Sequence, residues 1–295
     1  MTTPRPCEVC GGTEFRRLFT KDAHEFVRCR SCRLIRIDPQ PTDETLSAIY
    51  GSKYYDAWGV QTGADRVLQL KKHTFRKHVL AAVDLPKGAR VLDCGAAFGT
   101  LMEVAVESGL EPYGIELVGE AAAAIARRFG PDHVFSGPFE QASFPCLGDK
   151  GFDAVFMCDF IEHVRDPLAV LKKAVSLLRP SGCLVITTPD GASLSCRFMG
   201  ASWLHYKVEH LHYFNRHNMA MLLPRVGLAV TQEGRAHKVL DLEYIRNQFN
   251  TYPRPMATSL VNYVARCAGS RLRQWPLSFS FGEMLVVGVK NSDAC

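Results

Sequence analysis

The chain has 295 residues, of which 47% are hydrophobic and 22% charged, with a net charge of +5. That composition excludes wholesale disorder, points to about two domains at ~150 residues each, and is too mildly basic to indicate a nucleic-acid partner by itself. The cysteines are uneven: of eleven, four fall within the first 32 residues.

The opening segment, Met1 to Cys7, lacks the apolar stretch of a secretory signal. No run approaches the ~18 apolar residues of a membrane helix. The expectation is a cytoplasmic chain without membrane association, in which thiols stay reduced and paired cysteines read as metal ligands. Cys7-Glu-Val-Cys10 and Cys29-Arg-Ser-Cys32 are two Cys-x-x-Cys knuckles separated by eighteen residues, a spacing that suits a four-thiolate zinc site. Gly11 and Gly12 let the chain turn after the first knuckle. Four protein ligands leave no open coordination position, so the zinc is expected to be structural. The metal would supply most of the folding energy of so short a segment, on the order of 10 kcal/mol. Arg16, Arg17, Arg28, Arg30, Arg33 and Arg36 make the ribbon basic, which leaves nucleic acid open as a partner.

Asp38-Pro-Gln-Pro41 reads as a stiff linker. Thr42 or Asp43 starts a helix toward Tyr50, Tyr54, Tyr55 and Trp58 follow, and residues 65–83 carry a helical apolar pattern. From Arg90 the pattern alternates. Strands are predicted at 90–93, 113–116, 133–137, 152–158 and 183–188, and helices at 100–108, 120–129 and 167–178. Gly109 and Gly130 stop the first two helices, Pro167 opens the third, and Arg179-Pro-Ser-Gly182 closes it. Strands alternating with helices mean a doubly wound α/β fold. Its ligands lie at the carboxyl ends of the strands. There the first strand runs into Asp93-Cys-Gly95-Ala-Ala-Phe-Gly99, whose small residues permit close approach, and the second ends in Glu116, placed to accept ribose hydroxyls. Neither the G-x-G-x-x-G nor the P-loop spacing is present.

Val91 to Gly99 resembles the first motif of the class I S-adenosylmethionine-dependent methyltransferases, with Ala97 where that family often has glycine. Phe152-Asp-Ala-Val-Phe-Met-Cys-Asp159-Phe-Ile-Glu162-His163-Val-Arg-Asp-Pro167 resembles its fourth-strand motif. The resemblance spans about residues 88–235. It implies a Rossmann-like seven-stranded sheet with an antiparallel last strand, and S-adenosylmethionine as cofactor. On this resemblance Asp93, Gly95, Ala97 and Gly99 line the methionine end. Glu116 holds the ribose with Leu117 beside the adenine, Phe139 and Glu140 lie in the adenine loop, and Asp159 and Phe160 close the site below the sulfonium. The cysteine-rich start and Glu209-His210-Leu-His212-Tyr213-Phe214-Asn215 resemble methyltransferases of sugar and secondary-metabolite pathways. That likeness implies His210 as general base with Glu209 as its neighbour, although Lys207 stands where the family often has tyrosine.

The expected division is a zinc ribbon over 1–40, a linker and helical cap over 41–87, and a methyltransferase domain over 88–295 with a helical insertion at about 237–282. Strands at 228–233 and 283–290 would complete the sheet, with helices at 240–249 and 257–272 between them. His163 is a second candidate base, with His212, Tyr213, Tyr206 and His205 behind it. Trp203 either walls the pocket or packs in the core. Arg254, Arg266, Arg271 and Arg273 either meet a phosphate or form a solvated face. Three functions compete: methyl transfer to a small acceptor (a sugar, nucleotide-sugar or natural-product intermediate), RNA methylation with the ribbon gripping RNA, and non-enzymatic cofactor binding.

Overall fold

The computed structural model describes residues 5–49, 64–251 and 255–291. Tyr54, Tyr55, Trp58 and Arg254 lie outside them. The ribbon begins with the first cysteine knuckle and continues as a hairpin, β1 (Phe15–Lys21) and β2 (His24–Cys29). The two residues between these strands, Asp22 and Ala23, both have positive φ, the backbone of a tight turn whose twist matches the strands it joins. After the second knuckle comes β3 (Ile35–Ile37), with all three residues buried.

Next are α1 (Asp43–Ile49) and α2 (Ala64–Thr74). The Thr45 amide donates to Thr42 Oγ1 at 3.3 Å, so Thr42 caps α1. A π-helical turn, Phe75–Val79, follows α2. The alternating region then unfolds in order: β4 (Arg90–Cys94), α3 (Thr100–Glu107), β5 (Glu111–Glu116), α4 (Gly119–Phe129), β6 (Val134–Ser136), β7 (Phe152–Cys158), α5 (Pro167–Leu177) and β8 (Leu178–Pro189). Beyond it lie α6 (Leu194–Met199), β9 (His212–Tyr213), α7 (Arg216–Leu222) and β10 (Leu228–Arg235). Between β10 and the last strand lie β11 (Lys238–Leu240), α8 (Leu242–Thr251), α9 (Pro255–Cys267), α10 (Ser270–Arg273) and β12 (Leu277–Phe279), and the chain returns in β13 (Glu283–Lys290).

Seven strands form one sheet in the order β10-β13-β8-β7-β4-β5-β6. The last strand, β13, runs antiparallel between β8 and β10, and the expected Rossmann-like sheet is observed. Its central strands are apolar on both faces because helices cover both: Ala154, Val155, Phe156 and Met157 are fully buried. Gly114 in β5 has a packing reason, since a Cβ there would meet Met102 Sδ at 2.7 Å. Several boundaries shift by one or two residues from the sequence reading, at β5, β6, β10 and α8 among them, and two differences are larger. β8 starts at Leu178 rather than Cys183, because Leu178 already pairs with Phe152 across a register shift. The expected helix over 257–272 breaks into α9 and α10 at Ala268-Gly269, whose glycine is extended and opens the second helix.

Candidate functional site

At the ends of β4 and β5, left-handed backbone clusters in one loop: Gly95, Ala97 and Gly99 all have positive φ, at 76°, 49° and 72°. The Gly95 and Ala96 amides both donate to the Ile115 carbonyl at 2.9 Å, which ties the loop to β5. A Cβ on Gly95 would stand 3.1 Å from the Phe160 ring, so only glycine permits that ring to lie against the loop. Phe160 in turn meets buried Phe139 edge-on at 5.5 Å. The Glu116 carboxylate takes the Ala97 amide on Oε2 and the Val118 amide on Oε1, each at 2.8 Å. A carboxylate oxygen can accept more than one donor. Burial, and then the charge of Glu116, push the Asp93 carboxyl up to about 7. Leu117, 58% exposed, and exposed Glu140 lie at the margin. A held carboxylate, small loop residues and aromatic rings suit a ligand that carries a ribose and a flat base.

The ends of β7, β8 and β13 are different in kind. Asp159 turns the chain out of β7 with φ at 51° and pairs with Lys238 of β11 at 3.2 Å; Lys238 also meets Glu283 of β13 at 2.9 Å. Burial opposes the Lys238 charge, but Asp159 and Glu283 outweigh it and hold its pKa well above the ordinary value. Glu162 accepts the Thr188 hydroxyl at 2.9 Å, while its backbone carbonyl accepts the Leu211 amide at 2.8 Å. Burial and the charge of Asp159 raise the Glu162 carboxyl to about 8. Burial also lowers His163 to about 4 against the pull of Asp159. His210, 5% exposed, is lowered well below its usual range by burial and then by the neighbouring His163 and Lys207.

The His163 and His210 rings are edge-on with centroids 4.7 Å apart. Glu162, His163 and His210 each present one ligand atom within 4.8 Å of the others, a set of donors that can share a proton or hold a cation. Among the described residues, Glu162 Oε1, His210 Nδ1 and Glu283 Oε2 are buried without a hydrogen-bond partner, the condition that a bound group or water relieves. Glu209 meets this group through its backbone, which accepts a hydrogen bond from His163; its carboxylate turns away and lies 3.9 Å from Lys207 Nζ. His212 and Tyr213 point to opposite sides of β9. His212 faces Glu8 at 3.5 Å, and the Tyr213 hydroxyl bonds the Lys207 backbone. Trp203 is core, 1% exposed, with its indole N–H on Ser195 Oγ at 3.0 Å.

Lys238, Glu283 and Thr188 were not foreseen. No motif surrounds Lys238, and its partner Asp159 is seventy-nine residues away. Of this cluster the sequence offered Asp159, His163 and His210.

The ribbon is built against this second half. The thiols of Cys7, Cys10, Cys29 and Cys32 all lie within 4.8 Å of one another, with closest sulfur pairs at 3.4 and 3.5 Å. A tetrahedron of Zn–S bonds of about 2.3 Å asks for about 3.8 Å between sulfurs, so the set fits a tetrahedral ion. β9 completes the ribbon sheet, in the order β1-β2-β3-β9, with Ile35 opposite Tyr213 and Arg36 opposite His212. Asn218 donates to the Cys32 carbonyl at 2.9 Å, and Arg225 to that of Val9 at 2.6 Å. Fully buried Arg36 binds Glu8, Asp38 and the carbonyls of Arg5 and Pro6, so one arginine of the basic stretch is structural. Arg17 pairs with Glu25 at 3.0 Å. Between β11 and β12, Arg266 and Arg271 are exposed and Arg273 faces Glu243 at 3.9 Å.

The pattern of a methyltransferase domain matches residues 67–233. The ubiquinone biosynthesis O-methyltransferase of Xanthomonas campestris pv. campestris is 30% identical over 187 residues, 58% of this chain and 77% of that one. A SAM-dependent methyltransferase from Archaeoglobus fulgidus superposes with a TM-score of 0.53 at 18% identity, over 80% of this chain and 100% of that one. The 1,6-didemethyltoxoflavin-N1-methyltransferase of Burkholderia thailandensis, solved with its acceptor and S-adenosylhomocysteine, gives a TM-score of 0.50 at 16% identity, over 94% of this chain and 99% of that one. Among the described residues, no helix is long and apolar enough to cross a membrane.

Proposed function

The chain belongs to the S-adenosylmethionine-dependent methyltransferases and is an enzyme of that type, and from that premise we propose that it methylates a hydroxyl of a small-molecule acceptor, with His210 as the base. The acceptor class we favour is a sugar, nucleotide sugar or natural-product intermediate. The relatives named as O-methyltransferases support the hydroxyl. The observation that carries the reading is the buried Glu162–His163–His210 group beside Phe160, which packs on the cofactor loop.

Bound S-adenosylmethionine supplies an already activated methyl group. The residues of the chain hold it and prepare the nucleophile. Glu116 takes the ribose hydroxyls, with Asp93, Gly95, Ala97 and Gly99 around the methionine end and Leu117, Phe139 and Glu140 around the adenine. Asp159 and Phe160 close the floor. A hydroxyl attacks poorly until its proton leaves, and it must stand in line at ~3 Å. His210 is neutral at neutral pH because burial disfavours its charge, so it is free to accept that proton. His163 fixes the ring edge-on. Glu162, once ionised above about pH 8, balances the charge that His210 gains. Glu209 shapes the turn before β9 and the Lys207 side chain. Cys7, Cys10, Cys29 and Cys32 hold a structural zinc ion, and the ribbon thereby fixes β9 and the segment that carries His210.

The test is turnover of labelled S-adenosylmethionine against a panel of phenols, sugars and nucleotide sugars, with bulk RNA as a separate arm. Methyl transfer to a hydroxyl compound that His210→Ala lowers at least a hundredfold is expected. Transfer to RNA alone, or an unchanged rate in His210→Ala, would reject the reading.

A further inference from the structure

β10 is the outer strand of the large sheet. Together with the π-helical turn after α2 it flanks a half-open cavity of about 220 Å³. Lys77, His78, Arg235 and His237 line it with the Gln232 amide, and no lining residue is acidic. Small residues belong to the lining: Ala81, Ala82 and Gly234, where an added Cβ would meet nothing within 4 Å.

The basic groups converge rather than spread. Lys77 Nζ donates to Ser278 Oγ at 3.3 Å, and His78 Nε2 lies 3.0 Å from the same oxygen. The His78 and His237 rings are 5.3 Å apart. Among the described residues, no carboxylate pairs with any of the four. Beyond burial, the charges that act on His78 are those of His237 and Lys77, and both disfavour its protonation. Like charges gathered without a counter-charge repel, and an anion is what relieves them. Arginine supplies a planar fork for phosphoryl oxygens and lysine a point charge. The half-buried imidazoles add directional donors. A π-turn inside a helical stretch is itself a recurrent mark of functional sites, and here it presents Lys77 and His78 side by side.

We propose that this cavity is a binding site for the phosphoryl group of a small ligand. It is separate from the His210 group and does not depend on the methyl-transfer reading. Inorganic phosphate and a nucleoside diphosphate share that chemistry, and the experiment distinguishes them.

The full chain is titrated with inorganic phosphate, and in parallel with UDP, while the imidazole C–H resonances of His78 and His237 are followed by NMR. Saturable shifts are expected, with affinity at least tenfold weaker in the Lys77→Gln/Arg235→Gln double variant. Ala81→Glu, which puts a carboxylate into the cavity, is expected to weaken binding similarly. These side chains are at the surface, so both variants should keep the wild-type melting temperature. Tighter binding of UDP than of phosphate would assign the site to a nucleotide, and equal binding would assign it to the phosphoryl group alone. Absence of a saturable shift, or undiminished affinity in both variants, would overturn the proposal.

Discussion

On the β4–β5 side of the sheet's carboxyl edge, backbone amides and small residues shape the site; on the β7–β13 side, charged side chains from distant elements do. The first side is compact: Gly95 to Gly99 curl back on Ile115, and Glu116 is held by the amide of Ala97 in that loop and by that of Val118, two residues on. The second draws Asp159 and Glu162 from beyond β7, Thr188 from β8, Lys238 from β11 and Glu283 from β13, while the ribbon sheet holds the strand that follows His210. A site made of local backbone can be kept by a short motif. A site made of long-range side chains survives only if the whole fold brings them together, and it can change without disturbing the Gly95–Gly99 loop.

If that contrast is right, damage to the ribbon should strike one side. Cys29→Ser/Cys32→Ser, or removal of the metal, should abolish detectable methyl transfer while S-adenosylhomocysteine binding, read by calorimetry, changes by only a few-fold. Equal loss of both would break the comparison. Metal analysis of fresh protein should find about one equivalent of zinc, and less than about half an equivalent would refute the four-thiolate site. Next in size, His210→Ala should lower kcat by about 10²–10⁴-fold, the usual contribution of a general base, with S-adenosylhomocysteine affinity unchanged.

Lys238→Met should lower stability by about 2 kcal/mol, because it leaves the buried Glu283 carboxylate, and Asp159, without their donor; denaturant melts measure this. For Glu162 the sign follows from a folded-state pKa of about 8 against 4.5 for an ordinary carboxyl. The folded state binds that proton more tightly. The resulting stability is complete below about pH 4.5 and lost as pH rises through about 8. Activity should rise over the upper part of that window as Glu162 ionises. Glu162→Gln should flatten both profiles, and a retained limb near pH 8 in the variant would point to another group. The smallest effect expected is from Ala97→Gly: Ala97 sits at φ of 49°, and relief of that left-handed strain should raise stability by about 1 kcal/mol.

Much of the β4–β5 side was legible because its determinants are local. Val91-Leu92 and the run from Ala154 to Met157 are buried on both faces and read as unbroken apolar strands. Gly95 and Gly99 mark the backbone turns. The cysteine spacing anticipated four thiols in one cluster. The β7–β13 side was legible only in pieces. Glu209-His210 suggested a pair by adjacency, yet Glu209 faces Lys207 while Glu162 and His163 gather at His210. Periodicity carries no record of which neighbour a side chain turns toward.

The sequence by itself determined the strand and helix alternation, the loop at Gly95 and the carboxylate at Glu116, because period, turn chemistry and short spacings are properties of adjacent residues. Only the tertiary structure decided that β9 would complete the ribbon sheet, that Arg36 would be buried against Glu8 and Asp38, and that Lys238 would reach Asp159. Those contacts join residues far apart in the chain. Their geometry comes from closing long loops onto a common core, and no local pattern encodes it.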